Sequence, residues 1–260
     1  MSGAQRIVCL TEETVETLYL LGQSHRIVGV TGYAVRPPQV RREKPRVGGF
    51  TSADAKKIVA LEPDLVLCFS DLQASIAAEL VTAGIEVHVF NQRDVAGILQ
   101  MIRTLGALTG CAGTAEAMAQ GHEARLAALA ATPRAARPRV WFEEWDDPLI
   151  SGIGWVSELI GIAGGEDIFA ERARAAAAGD RIVTPDQVLE RAPEVILASW
   201  CGKKLVPARI AARTGWADLP AIRAGRVHEI KAPLILSPGP AALTEGLAAI
   251  HRALWDAPPP

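Results

Sequence analysis

The residues able to do chemistry are concentrated in one stretch, Val140-Trp141-Phe142-Glu143-Glu144-Trp145-Asp146-Asp147-Pro148-Leu149-Ile150-Ser151-Gly152-Ile153-Gly154-Trp155. Tryptophans interleaved with carboxylates suit contact chemistry better than bond making. An indole offers much apolar area with little entropy to lose, and nearby acids order polar groups around it. Val140 to Phe142 reads as a strand that breaks into a loop. Val156 to Ala163 then resumes helical spacing and stops at Gly164-Gly165. A loop that leaves a strand end and feeds a helix is where ligands sit in an open α/β sheet. The competing expectation is that Trp141 belongs to the core while Trp145 and Trp155 seal a turn.

Other reactive side chains are scattered. Cys9, Cys68, Cys111 and Cys201 form no CxxC pair, which argues against a thiolate zinc site and a disulfide framework. Cys201 follows Trp200 at a strand end, where a thiol could meet a metal chelate or serve as a nucleophile with His228. His25, His88, His122, His228 and His251 make no pair at ligand spacing, so a metal is expected only inside a chelate. No nucleophile elbow, phosphate loop or complete GxGxxG follows a strand.

Composition sets the outer bounds. The 260 residues are 49% apolar and 22% charged, ordinary for a packed globular chain of one large domain or two lobes. A net charge of −2 gives no reason to expect nucleic acid. No apolar run approaches the ~18–20 residues that span a bilayer, so membrane insertion is not expected. Met1 to Val8 lacks the charged, apolar and cleavage regions of an export signal.

The elements that must hold these groups alternate. Arg6 to Leu10, Arg26 to Val30, Leu65 to Phe69 and Ile85 to Phe90 read as strands. Helices over Thr14–Leu21, Ala53–Ala60 and Leu72–Ala83 lie between them, the first capped by Thr11 and the second by Thr51-Ser52. Val95, Ile98, Leu99, Ile102 and Leu105 repeat as one buried helix face. Thr114 to Ala130 is a second, alanine-rich helix, about 18 residues and roughly 27 Å long. Such a helix acts as a stiff strut between two halves. Pro240 to Trp255 reads as a terminal helix and Ala257 to Pro260 as a frayed tail.

The chain also repeats itself. Asp186 to Trp200 matches Lys56 to Ser70 as short helix, proline, acid and apolar strand, with Pro193 standing 130 positions after Pro63. Two related lobes follow: residues 1–110 as an N-terminal α/β lobe, 111–136 as a bridging backbone helix, and 137–260 as a C-terminal α/β lobe.

This pattern resembles the class III substrate-binding proteins of ABC transporters. The residues that carry the resemblance are Lys57-Ile58-Val59-Ala60-Leu61-Glu62-Pro63-Asp64-Leu65-Val66, Glu158-Leu159-Ile160 with Ala163-Gly164-Gly165, and Thr214-Gly215-Trp216 with Leu219 to Val227. Phe142 to Pro148, with Gly152 and Trp155, looks most like the cobalamin-binding branch. The resemblance implies two similar α/β lobes with parallel sheets joined by a long rigid helix. It further implies a monomeric, non-enzymatic protein with no intrinsic cofactor. Such a protein holds cobalamin or a related corrinoid, cobalt included, in a cleft between its lobes, for ABC-type uptake or hand-off. Periplasmic residence is implied too, and the absence of an export signal sets cytoplasmic residence beside it.

In such a protein the ligand touches the loops after the strands. In the N-terminal lobe these supply Thr11, Glu12, Tyr33, Arg36, Phe50, Ser70 and Asp71. In the C-terminal lobe they supply Glu144, Trp145, Asp146, Trp155, Trp200, Cys201, Lys203 and Lys231. Tyr33, Trp145, Trp155 and Trp200 are the expected aromatic walls, while Arg36, Lys203 and Lys231 would meet amide oxygens, carboxylates or a phosphate. Family members that dock on a permease present one acid per lobe. Asp71 and Glu79 are candidates in the first lobe, whereas Cys201 to Thr214 contains no carboxylate. A ferric-siderophore or haem carrier is the nearest rival, and an α/β enzyme using Cys201 is the rival from another class.

Overall fold

Short runs of apolar, β-branched residues form strands wherever both faces can be covered, and this rule builds most of the chain. The computed structural model describes residues 3–175 and 177–256, so the tail expected at Ala257 to Pro260 lies outside the described residues. The chain divides into two compact units, Met1–Gln92 with Ala96–His122, and Arg93–Val95 with Glu123–Pro260.

In the first unit, β1 (Ile7–Cys9) leads into α1 (Glu12–Leu20), and β2 (Ile27–Val30) is followed by the short helices α2 (Val40–Glu43) and α3 (Ala55–Ala60). Then come β3 (Leu65–Phe69), α4 (Ala74–Thr82), β4 (Val87–Phe90), α5 (Val95–Leu108) and α6 (Ala112–Ala130), of which Val95 and the residues from Glu123 on belong to the second unit. The four strands form one parallel sheet in the order β2-β1-β3-β4. Every residue of β1 and β3 is buried, as a sheet covered on both faces requires. Val8, Leu10, Val66 and Cys68 project into one cluster with Val47, Ile58, Ala77 and Leu80. The cap of α3 is Asp54, which accepts from the Lys57 amide at 3.2 Å; Thr51 and Ser52, expected in that role, stand one turn too early.

The second unit contains β5 (Arg139–Asp146), β6 (Leu149–Ser151), α7 (Gly154–Ile162), β7 (Glu166–Asp167) and α8 (Pro185–Arg191). It continues with β8 (Val195–Ala198), α9 (Pro207–Ala211), α10 (Pro220–Arg223), β9 (Val227–Glu229), α11 (Ala232–Ile235) and α12 (Leu247–Trp255). Its sheet runs β6-β5-β8-β9, with β7 also on β5. The internal repeat is therefore real in three dimensions: α3–β3 and α8–β8 place their strands in equivalent central positions. The sheet is not wholly parallel, because β6 runs antiparallel to β5.

That antiparallel edge corrects the reading of Glu143 to Asp146 as loop. Strand β5 continues to Asp146 and returns through Asp147-Pro148 into β6, pairing Glu143 with Ser151 and Asp146 with Leu149. The physical reason is a period of two: Trp141 and Glu143 share one face, as alternate strand residues must. The terminal helix also departs from regularity, with a π-helical turn over Ala242–Gly246. Gly246 packs so closely on Leu234 that a side-chain carbon there would lie 2.2 Å from the Leu234 carbonyl oxygen.

Candidate functional site

In the first unit, the loops at the carboxyl ends of β1, β2 and β3 lie at one end of the sheet. The strand order places the crevice of a doubly wound fold beside β1 and β3. Thr11 sits at the N-cap of α1, but its buried hydroxyl pairs with the Thr14 hydroxyl at 2.9 Å and leaves the helix uncapped. Glu12 starts the helix half-buried. Glu13 beside it is buried, one carboxyl oxygen has no partner, and burial pushes its pKa up to about 7.

Tyr33, after β2, is 58% exposed and lies against the backbone of Gly49, next to the half-buried Phe50. Leu72, after β3, is 61% exposed. Tyr33, Phe50 and Leu72 are thus the apolar side chains that these strand-end loops leave exposed or half-buried. Arg36 is drawn aside by Glu16 at 2.9 Å. Ser70 adopts a left-handed φ of 56°, with its hydroxyl accepting from the Leu72 amide at 3.3 Å, and Asp71 is exposed.

One residue that sequence reasoning missed ties these loops together. The buried Gln73 donates to the carbonyls of Leu10 at 3.1 Å and Phe50 at 2.7 Å, and accepts from the Phe69 amide at 2.8 Å. It therefore joins the ends of β1 and β3 to the Phe50 loop. Nothing in its local sequence marks it, since glutamine at a helix start is ordinarily a surface residue.

In the second unit, the acids of β5 are all engaged internally. Glu143 is fully buried and accepts from the indoles of Trp141 at 3.0 Å and Trp200 at 3.1 Å, and from both terminal nitrogens of Arg213 at 2.5 and 2.8 Å. Glu144 holds the buried Arg181 through two bonds of 2.7 and 2.9 Å. Asp146 accepts from the Lys203 ammonium at 2.6 and 2.7 Å, and that ammonium lies 5.2 Å from the Trp145 ring and 5.3 Å from the Trp200 ring.

The expected aromatic walls divide. Trp145 is partly exposed, and its indole donates to the Asp147 carbonyl at 3.0 Å. Trp155 is buried and donates to the Ile235 carbonyl at 2.7 Å. Trp200 is buried in a cluster with Trp141, Phe169 and Trp216. Tyr33 is thus exposed in the first unit and Trp145 partly exposed in the second, while Trp155 and Trp200 are buried within the second unit. Cys201 and Lys231 are exposed. Among the described residues, no group of three or more His, Cys, Asp or Glu side chains is placed to hold a metal ion. Nor is any helix among them long and apolar enough to cross a membrane.

Comparison with known proteins follows the same lines. Residues 7–234 match the family model described as periplasmic binding protein. A cobalamin-binding protein of Halobacterium salinarum is 31% identical over 176 residues, 65% of this chain and 47% of the relative, so the chain spans about half the length of that relative. Among solved structures, the periplasmic heme-binding protein RhuT of Roseiflexus sp. RS-1 superposes with a TM-score of 0.81 at 26% identity, covering 97% of this chain and 100% of the other. The periplasmic vitamin B12-binding protein BtuF of Vibrio cholerae gives 0.77 at 24% identity, covering 98% of each chain, which shows a shared fold.

Proposed function

We propose, for a chain that belongs to the periplasmic binding protein family, that it binds cobalamin or a related corrinoid and delivers it for ABC-type uptake. The binding surfaces in this reading are the strand-end loops of each unit. Tyr33, Phe50 and Leu72 supply apolar contact from the first, and Trp145 supplies it from the second. The family is one of binding proteins, so the site's task is recognition and release rather than turnover.

One observation carries the choice of ligand. Of the three basic side chains expected to meet an anionic chelate, two are already neutralised, Arg36 by Glu16 and Lys203 by Asp146, and the third, Lys231, is exposed. Arg181 and Arg213 are likewise taken by Glu144 and Glu143. Propionates or catecholates would thus have to break an ion pair to be received at Arg36 or Lys203. A corrinoid rimmed with neutral carboxamides asks only for hydrogen-bonding groups around an apolar face. The cobalamin-binding name of the 31% identical relative points the same way.

The likeness to a heme-binding protein makes a haem the second reading. Residence in the periplasm and hand-off to a permease follow from the family as parts of this proposal. Asp71 and Glu79, both exposed, are the docking candidates of the first unit. Calorimetry with cobinamide, cyanocobalamin, haem and a ferric siderophore tests it. Micromolar or tighter corrinoid binding is the expected result, and haem binding without corrinoid binding would replace this reading with its rival.

A further inference from the structure

Lys203 is the most unusual cation of the second unit, because it sits on two indoles as well as on a carboxylate. Its ammonium lies 5.2 Å from the centroid of Trp145 and 5.3 Å from that of Trp200. Both oxygens of Asp146 accept from it, at 2.7 and 2.6 Å. An ammonium within about 6 Å of an indole face is attracted by the ring quadrupole. Two such faces and one carboxylate make a receptor for an organic cation.

The receptor is built on firm ground. Trp200 is buried and its indole nitrogen is fixed to Glu143 at 3.1 Å, while the Trp145 nitrogen is fixed to the Asp147 carbonyl at 3.0 Å. Lys203 itself comes from the exposed segment Cys201 to Lys204, which turns through Gly202 at a left-handed φ of 69°. The cage is therefore rigid and its occupant stands on an exposed turn.

We propose that Trp145, Trp200 and Asp146 form an ammonium-receiving cage that Lys203 fills from within, making Lys203 an internal competitor for the Trp145 face. In the part that concerns a corrinoid, the inference rests on the function proposed above. Its consequence there is that the guest stacks on Trp145 only after the Lys203 ammonium has left. Lys203 then sets affinity by opposing the guest rather than by touching it.

Removing the occupant exposes the cage to a probe. Titration of the full chain carrying Lys203→Ala with tetramethylammonium, followed by tryptophan emission, should give a saturable change. The unaltered chain should show none, and neither should the Lys203→Ala/Asp146→Asn or Lys203→Ala/Trp145→Phe chains. No saturable change in Lys203→Ala, or one that survives either second substitution, overturns the cage. In parallel, Lys203→Ala should bind the corrinoid about fivefold more tightly, since one exposed cation–π contact no longer has to be broken. Unchanged or weaker binding overturns Lys203 as a competitor, and weaker binding makes it a direct ligand contact. If neither chain binds any corrinoid, the proposed function fails, and the tetramethylammonium titration still decides the cage.

Discussion

Glu143 and Arg213 stand 70 residues apart in sequence and meet through two parallel bonds of 2.5 and 2.8 Å, the carboxylate fully buried. The same carboxylate accepts from Trp141 and Trp200, so one acid orients two indoles and one guanidinium. Replacing Glu143 by Leu strands all three donors at once. Removing one partner of a buried ion pair costs about 3–5 kcal/mol. Urea unfolding of Glu143→Leu should show a loss of that order, and a loss below about 1 kcal/mol would mean the pair is not the anchor of this strand end.

Gln73 plays a comparable part in the first unit, with neutral bonds in place of charged ones. A Gln73→Leu substitution leaves the Leu10 and Phe50 carbonyls and the Phe69 amide without their partner. Each buried group left unpaired costs about 1–3 kcal/mol. The Phe50 loop should loosen as well, so ligand affinity falls together with stability. Calorimetry on a sample verified as folded separates the two effects, and a stability loss with unaltered affinity would remove the Phe50 loop from the binding surface.

The difference between these residues and the legible ones is distance in sequence. Strands β1, β3 and β8 announce themselves as continuous apolar runs, and the match of Asp186–Trp200 to Lys56–Ser70 gives the duplication, because both signals are local. Glu143 does not, since a glutamate in a strand reads as solvent-facing until Arg213 is known to lie opposite it. The same blindness extended the loop through Glu143 to Asp146, where the chain is a hairpin strand. Trp155 looks like a cleft wall for a similar reason. Its glycine-rich neighbourhood suggests a loop, and the Ile235 carbonyl that holds its indole is 80 residues away. Tyr33 and Trp145 keep the exposure expected of aromatics after strands, a reading that needs no distant partner.

Glu13 gives the protein a pH dependence of defined sign. Burial raises its pKa from the ordinary 4.5 to about 7. An unfolded chain releases this proton at the ordinary value, so across that window the folded state binds more protons than the unfolded one. Stability therefore falls as pH rises from about 4.5 through 7, by up to about 3 kcal/mol from this group. His88 and His228, whose pKa values burial lowers, act in the opposite direction below their ordinary value. Comparing the unaltered chain with Glu13→Gln isolates the carboxyl contribution. Urea midpoints at about pH 5 and about pH 7.5 should converge in the variant, and an unchanged slope would mean that Glu13 is already ionised in the folded protein.

The two kinds of aromatic residue should separate cleanly under substitution. Tyr33 is 58% exposed, so Tyr33→Ala should shift stability by no more than about 0.5 kcal/mol. It should still weaken corrinoid binding about tenfold, because an aromatic face that meets the guest contributes on the order of 1–2 kcal/mol. Trp155→Phe keeps most of the apolar volume and loses the bond to the Ile235 carbonyl. That loss costs about 1 kcal/mol of stability and leaves affinity as it was. Thermal unfolding and calorimetry on the two variants read both quantities. A Trp155→Phe variant that binds poorly while remaining stable would return Trp155 to the ligand's surroundings, and a Tyr33→Ala variant with unaltered affinity would remove Tyr33 from the site.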